Sequence, residues 1–325
     1  MANKIKWGIM GLGKIAHKFA SDLPLSEDSV LYAAASRELK KAEEFGKKFG
    51  SLKSYGSYTE LVKDPEIDIV YIATPHALHF ENTMLCLENG KSVLCEKPMG
   101  LDAAQTKGMI EKAQENGLFL MEGLWTRFIP ATEKLLELLA ANTLGELLFV
   151  RADFGFNPPI DPAGRIYNKE LGGGSLLDIG IYPIYLSLLT LGLPSTIVAS
   201  ARLNQSGIDT FCAMLFDNKN GTKAILESTL EAQTPTEAII YGSKGFIKMH
   251  TPFHHTQKLS LQLNGLEEQE FNLPSIGEGY LHEIEEVVAC LQSGQMESRK
   301  HPHAFSLELS EVLDQVKNKI GLRYH

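Results

Sequence analysis

The sequence predicts an α/β protein with a doubly wound parallel sheet in its N-terminal part, followed by an α+β domain with an open, mostly antiparallel sheet. Three observations carry this. A glycine-rich turn, Gly11-Leu12-Gly13-Lys14-Ile15-Ala16, directly follows a short apolar run. Strand-like and helix-like segments then alternate as far as Gly123, the pattern of a parallel sheet with crossover helices. Beyond it come strand-length runs joined by Gly242-Ser243-Lys244-Gly245 and Asn264-Gly265, which is hairpin chemistry.

Taken in order, 4–10 reads as a strand and the segment from Lys14 as a helix, so the glycines sit at a strand-to-helix turn. There Gly11 allows the tight turn, Gly13 lets the backbone approach a pyrophosphate, and Ala16 lets helix and strand pack closely. The helix N-terminus, with Lys14 and Ile15 in its first turn, offers N–H groups and partial positive charge to an anion. Two glycines and an alanine at this spacing also occur in ordinary turns; the preceding strand favours the phosphate cradle. A second strand covers 30–35, and a helix over 39–49 places Leu39, Ala42, Phe45 and Phe49 on one face. A buried strand over 68–73 is broken by Thr74-Pro75, and a helix over 76–89 is closed by Gly90. A strand over 92–95 leads into Glu96-Lys97-Pro98; Asp102 with Gln105 resembles a capping box for a helix ending at Gly117, and 118–121 is one more strand. The domains are therefore drawn at 1–123 (dinucleotide-binding, Rossmann type) and 124–325 (substrate and dimerisation), with the C-terminal helix free to return to the first. In the second domain helices are expected over 131–141 and 175–191, strands over 146–154, 197–203, 210–216, 223–230, 237–241, 246–249 and 259–263, and closing helices over 280–292 and 306–320.

Composition narrows the function. A chain of 325 residues holds about two domains of roughly 150 residues. With 44% hydrophobic and 22% charged residues it has the balance of a soluble globular protein. A net charge of −9 weighs against nucleic acid and anionic membranes, which call for a basic surface, and leaves small molecules. The apolar stretch 172–194 is long enough to span a bilayer, but its three consecutive glycines, Pro183 and Asp178 favour a buried helix; a central Asp in a membrane costs about 2.5–3.5 kcal/mol. Met1-Ala2-Asn3-Lys4 runs straight into the first strand, leaving no room for a signal peptide. Cys86, Cys95, Cys212 and Cys290 form no C-x-x-C pair, as expected of reduced thiols in a cytoplasmic protein.

Three places point to redox chemistry. At the end of the second strand a ribose-reading acid would hydrogen-bond a 2′-hydroxyl, but Ser36-Arg37 stands there: a hydroxyl and a guanidinium suit a 2′-phosphate, hence NADP over NAD. The alternative is a solvated Arg37, with Glu38 reading the ribose. Lys97 ends a parallel strand where a nicotinamide would lie, with Glu96 beside it to orient it; a surface Glu-Lys pair before a proline is the plain alternative. In Gly172-Gly173-Gly174-Ser175-Leu176-Leu177-Asp178-Ile179-Gly180-Ile181-Tyr182, Asp178 and Tyr182 are spaced to share a helix face. A tyrosine with a pKa of about 10 becomes a useful base when a cation stabilises its phenolate, and Lys97 could be that cation.

Read together, Gly11 to Ala16, Ser36-Arg37, Cys95-Glu96-Lys97-Pro98, Glu122-Gly123-Leu124-Trp125-Thr126-Arg127-Phe128 and the Asp-Ile-Gly-Ile-Tyr core ending at Tyr182 resemble the Gfo/Idh/MocA oxidoreductase family. Within it they resemble the branch of dimeric dihydrodiol and NADP-dependent D-xylose dehydrogenases, where tyrosine stands in place of the wider family's histidine. The resemblance implies hydride transfer from a sugar or vicinal-diol carbon to NADP. Tyr182 would take the hydroxyl proton, Lys97 would hold the substrate oxygen and depress the tyrosine pKa, and Asp178 would hold a further hydroxyl or orient Lys97. It places Thr74, Pro75, His76 and His79 near the cofactor, and makes Trp125, Arg127 and Phe154 candidates for the walls of the substrate pocket, core packing being the other reading of each. His76 and His79 lack a third partner for a metal, and none is expected; His254-His255 and His301-Pro302-His303 read as loop residues. Two rivals remain: a redox glycosidase of the same fold with tightly held NAD, and a nucleotide sensor without activity, against which Lys97 and Tyr182 argue. An open sheet needs a cover, so a homodimer is expected.

Overall fold

A computed structural model describes residues 4–324; Met1-Ala2-Asn3, read above as the lead into the first strand, lie outside the described residues. The chain divides into two compact units, residues 1–128 with 276–307, and residues 129–275 with 308–325.

In the first unit β1 (Ile5–Met10), β2 (Ser29–Ala35), β3 (Lys53–Tyr55), β4 (Ile69–Ile72), β5 (Ser92–Glu96) and β6 (Leu120–Gly123) form one sheet in the order β3-β2-β1-β4-β5-β6. Every pairing is parallel. This is the dinucleotide-binding order, and its reversal between β1 and β4 opens the crevice where such sheets bind ligands. The connecting helices are α1 (Lys14–Asp22), α2 (Leu39–Phe49), α3 (Tyr58–Val62), α4 (His79–Glu88) and α5 (Ala103–Asn116). Their ends follow local rules: Gly50 and Gly117 take left-handed backbone to close α2 and α5, and the Asp102 carboxylate accepts the Gln105 N–H at 2.8 Å. The Gln105 side chain returns to the Leu101 N–H, one residue earlier than in a standard capping box. On one face of the sheet Trp7, Ile9, Phe19, Tyr71 and Leu94 pack with Ile284, Val287 and Val288 of α8 (Leu281–Gln292). Asp22 ties that late segment down, accepting the N–H groups of Glu278 and Tyr280 at 2.8 Å each.

The second unit holds β7 (Leu147–Gly155), β8 (Thr196–Leu203), β9 (Asp209–Asp217), β10 (Lys223–Thr229), β11 (Ala238–Gly242), β12 (Gly245–Met249), β13 (Lys258–Leu263) and β14 (Gln269–Asn272), in the order β14-β13-β12-β11-β7-β10-β9-β8. Only β7 with β10 is parallel; the two expected turns do join antiparallel neighbours, β11 to β12 and β13 to β14. α6 (Pro130–Ala140) precedes the sheet, and α7 (Ile181–Leu191) packs on the sheet face formed by Val150, Ala152, Leu226 and Ser228. The segment Lys169–Leu191 is apolar enough to cross a membrane by composition, yet 83% of its most apolar window is buried within the unit, as befits a core helix. The opposite sheet face carries Val198, Leu215 and Ile225 in one cross-strand row, 57%, 38% and 50% exposed. α9 (His303–Ile320) begins earlier than the expected 306.

Three differences from the sequence reading have physical causes. The short β3 and polar β14 carry no apolar alternation, and both are edge strands, where polar residues are favoured. The expected continuous helix from 175 instead opens with a π turn over Leu176–Gly180 before α7. Pro183 has no N–H to offer the Ile179 carbonyl, so the regular α ladder is interrupted here.

Candidate active site

The cradle begins where β1 ends. Gly11 has φ +83°, and a Cβ there would lie 2.8 Å from the Ala73 carbonyl and the Thr74 nitrogen, so both conformation and close approach demand glycine. Gly13 differs. It is the N-cap of α1 with ordinary φ −80°, no side chain caps the helix, no acid sits in its first turn, and a Cβ at Gly13 would meet nothing within 4 Å. The first-turn N–H groups thus face open space beside Leu12, Lys14 and Ile15, which fits a pyrophosphate. Ala16 is fully buried in the core, as its packing role requires.

At the end of β2, Ser36 helps line a depression of about 310 Å³ with Leu12, His17, Lys41, Glu44, Phe45 and Lys48. Arg37 is exposed next to it, and Glu38, the alternative ribose reader, instead pairs with Lys41 at 2.6 Å. A hydroxyl and the ammonium groups of Lys41 and Lys48 suit a 2′-phosphate. His17, Lys41 and Lys48 were not singled out from the sequence, because on α1 and α2 they look like any solvated helix face.

After β4 and β5 the chain builds a rigid corner. Thr74 and His76 are buried; His79 is fully so, its Nδ1 2.8 Å from the Pro98 carbonyl oxygen and its Nε2 2.9 Å from that of Thr74. Burial holds the His79 pKa below its ordinary value against the pull of those two carbonyls. Asn82 donates to the Thr74 hydroxyl at 3.1 Å. Pro75 is the N-cap residue of the one-turn helix that carries His76. The Lys97-Pro98 peptide is cis, Lys97 is 9% exposed, and the next N–H, of Met99, donates to Glu122 at 2.8 Å. Glu122, 1% exposed, also faces the His301 Nε2 at 3.4 Å, so His301, in the loop before α9 as the sequence suggested, is a buried member of this corner. The Glu96 carboxylate accepts from the Tyr71 hydroxyl, whose pKa burial pushes well up. Trp125 stacks on Tyr280 with centroids 4.8 Å apart, and Arg127, 9% exposed, donates from Nε to the Lys300 carbonyl at 2.9 Å.

In the second unit Asp178 lies within the π turn and Tyr182 in the first turn of α7. Wider π turns inside helices are frequent at functional sites. Asp178 is 5% exposed and accepts from Arg165 at 2.8 Å, a partner 13 residues earlier that no local pattern announces. Tyr182, 7% exposed, sits in an aromatic group: Phe154 at 5.8 Å and His254 at 4.8 Å between centroids, with His254 stacked on Phe154 at 4.3 Å. Phe154 thus lies beside Tyr182, and His254 joins the group although the sequence offered it only as a loop residue. Behind the turn, Asp209 is fully buried at the start of β9. Its Oδ2 accepts from the Ser175 hydroxyl at 2.6 Å and the Leu176 N–H at 2.7 Å, and burial pushes its pKa up to about 7.

Comparison with known proteins bears on both units. Residues 5–124 match the family model described as an oxidoreductase family with an NAD-binding Rossmann fold, and residues 132–248 match the Gfo/Idh/MocA C-terminal domain. The chain is 39% identical to trans-1,2-dihydrobenzene-1,2-diol dehydrogenase of Mus musculus and 38% identical to that of Danio rerio, each over 98% of both chains. Among solved structures it is similar to a 3-ketoreductase from Actinomadura kijaniata in complex with NADP and TDP-benzene, at TM-score 0.88 and 27% identity over 98% of both chains. It is also similar to an aldose-aldose oxidoreductase from Caulobacter crescentus complexed with glycerol, at TM-score 0.89 and 25% identity over 98% of this chain and 97% of that one.

Proposed function

The chain belongs to the Gfo/Idh/MocA oxidoreductase family, and from that premise we propose that it is an NADP-dependent dehydrogenase or reductase acting on a CH–OH carbon of a vicinal diol or sugar. The observation that carries the reading is whole-length similarity to dehydrogenases of a cyclic diol, at 39% identity. The cradle at Gly11 and Gly13 and the hydroxyl and ammonium groups of Ser36, Lys41 and Lys48 support the cofactor.

The cradle at Gly11 and Gly13 would hold NADP⁺, whose nicotinamide would supply the acceptor for hydride from the carbinol carbon. The residues supply the rest. Tyr182 takes the hydroxyl proton, Lys97 provides the positive charge that holds the substrate oxygen and favours the phenolate, and Asp178 holds a neighbouring hydroxyl or orients Lys97. Glu96 orients the lysine, while Phe154, Trp125 and Arg127 give the substrate apolar and polar walls. The exposed row Val198, Leu215 and Ile225 fits a homodimer that covers the open sheet face.

The test is reduction of NADP⁺ and of NAD⁺ with aldopentoses, aldohexoses and vicinal diols, followed by nicotinamide absorbance. Turnover that prefers NADP⁺ and falls about 10²–10⁴-fold in Tyr182→Phe is expected for a lost acid/base group. No turnover with either cofactor across these substrates removes the reading.

A further inference from the structure

We propose that Asp209 is a positioning residue: from β9 it clamps the head of the π turn and thereby sets where Asp178 and Tyr182 point. The proposal rests on the reading of those two residues as site groups, and it concerns a fully buried residue outside them.

The π turn is gripped at both ends by two neighbouring strands. At its head, Asp209 Oδ2 takes the Ser175 hydroxyl at 2.6 Å and the Leu176 N–H at 2.7 Å. The Ser175 hydroxyl also lies 3.0 Å from the Ser228 hydroxyl of β10. At the other end, Gly180 rests on the same Ser228; a Cβ there would come 2.8 Å from its Oγ. Gly174 is shaped by the same acid: its φ is +125°, and a Cβ would collide with Asp209 Oδ1. Asp178 lies between these grips and Tyr182 two residues beyond the second.

The arrangement is unusual for a helix start. Ncap side chains come from the residue next to the helix, whereas this carboxylate arrives from 33 positions along the chain and reaches the Leu176 N–H from a fully buried site. A locally capped helix has its first turn tied only to residues beside it in the chain, while this one has its first N–H and its serine bonded to β9 and β10 and its Gly180 close against Ser228. Rotation of the turn would swing Asp178 and Tyr182 together, and a misplacement of about 1 Å at a reacting group costs about 10²-fold in rate.

The experiment compares full-length wild type with Asp209→Ala, Asp209→Asn and Ser175→Ala, using NADP⁺ with D-xylose and with trans-cyclohexane-1,2-diol, alongside hydrogen–deuterium exchange of the 175–186 segment. In Asp209→Ala, kcat falls about 10²-fold while KM for NADP⁺ stays within about twofold, and exchange rises in 175–186 but not across β11 to β13. Asp209→Asn, whose amide oxygen accepts both donors, returns kcat to within about threefold of wild type. Wild-type kcat in folded Asp209→Ala, an Asn variant as impaired as the Ala variant, or an exchange increase spread evenly over the whole unit overturns the proposal. Should Asp209→Ala fail to fold, Ser175→Ala decides: a several-fold loss of kcat with faster exchange in 175–186 upholds the clamp, and wild-type behaviour of both overturns it. If wild type turns over neither substrate, the catalytic reading is what fails, and the exchange data by themselves uphold or overturn the clamp.

Discussion

The two cradle glycines make opposite demands on the fold. Gly11 sits at positive φ against the Ala73–Thr74 backbone, and Gly13 opens onto empty space. Gly11→Ala should therefore cost about 1–3 kcal/mol in urea melts and weaken NADP⁺ binding as well. Gly13→Ala should leave the melt unchanged within about 0.5 kcal/mol and weaken NADP⁺ binding alone, measured by titration. Equal melts for the two variants would contradict this account of Gly11. Asp209 makes a pH prediction. Its pKa rises from the usual carboxylate range to about 7 through burial, so the folded chain keeps a proton that the unfolded chain releases near pH 4. The stability tied to that proton is fully present at low pH and is lost as pH climbs from about 4 to about 7, on the order of 4 kcal/mol in all. Tyr324 and Cys212 are its titratable neighbours, and burial keeps the tyrosine and the thiol neutral through this range. Relative to wild type, Asp209→Asn should gain stability steadily from pH 4 to pH 7, as read from melts across that window; a constant difference would contradict the raised pKa.

At the scale of elements, the corner after β5 depends on partners from elsewhere in its unit. The Lys97-Pro98-Met99 turn is held by His79 of α4 on one side and Glu122 of β6 on the other, and neither bond can be anticipated from the tripeptide. His79→Ala removes the one ring N–H that a neutral His79 offers to the buried carbonyls of Thr74 and Pro98, and should cost about 1–3 kcal/mol in urea melts. If Lys97 works as proposed, the same variant lowers kcat more than KM for the diol, because the lysine is misplaced and the binding surface is kept. The π turn is the second such element. Four-residue spacing puts Asp178 and Tyr182 on adjoining turns, while the head of the turn is held by Asp209 and Ser228, 33 and 53 positions away.

For the whole molecule, charge and surface frame the expected assembly. A net charge of −9 suits a protein that handles small ligands in solution. Large apolar side chains in register across three strands are costly to leave in water, and the proposed homodimer would bury them. Ile225→Lys, placed in the middle of that row at a half-exposed position, should leave the melt near wild type and shift sedimentation from dimer to monomer. A wild type that sediments as a monomer would remove this part of the proposal.

Apart from β3 and α3, the order of strands and helices in the first unit, the parallel sheet they imply and the glycine turn at Gly11 to Ala16 were legible in the sequence, because each rests on short-range rules: apolar periodicity, a glycine at a fixed offset, a cap such as Asp102. Family resemblance was legible for the same reason, since the motif stretches are contiguous. What only tertiary structure decided are the partners brought from far along the chain: Arg165 to Asp178, His301 to Glu122, His254 onto Phe154, Asp209 to Leu176. Those pairings depend on how strands register and helices seat on sheets. Burial then acts on the groups so placed, raising the Asp209 pKa and lowering that of His79, an effect that no residue's immediate neighbours in sequence encode.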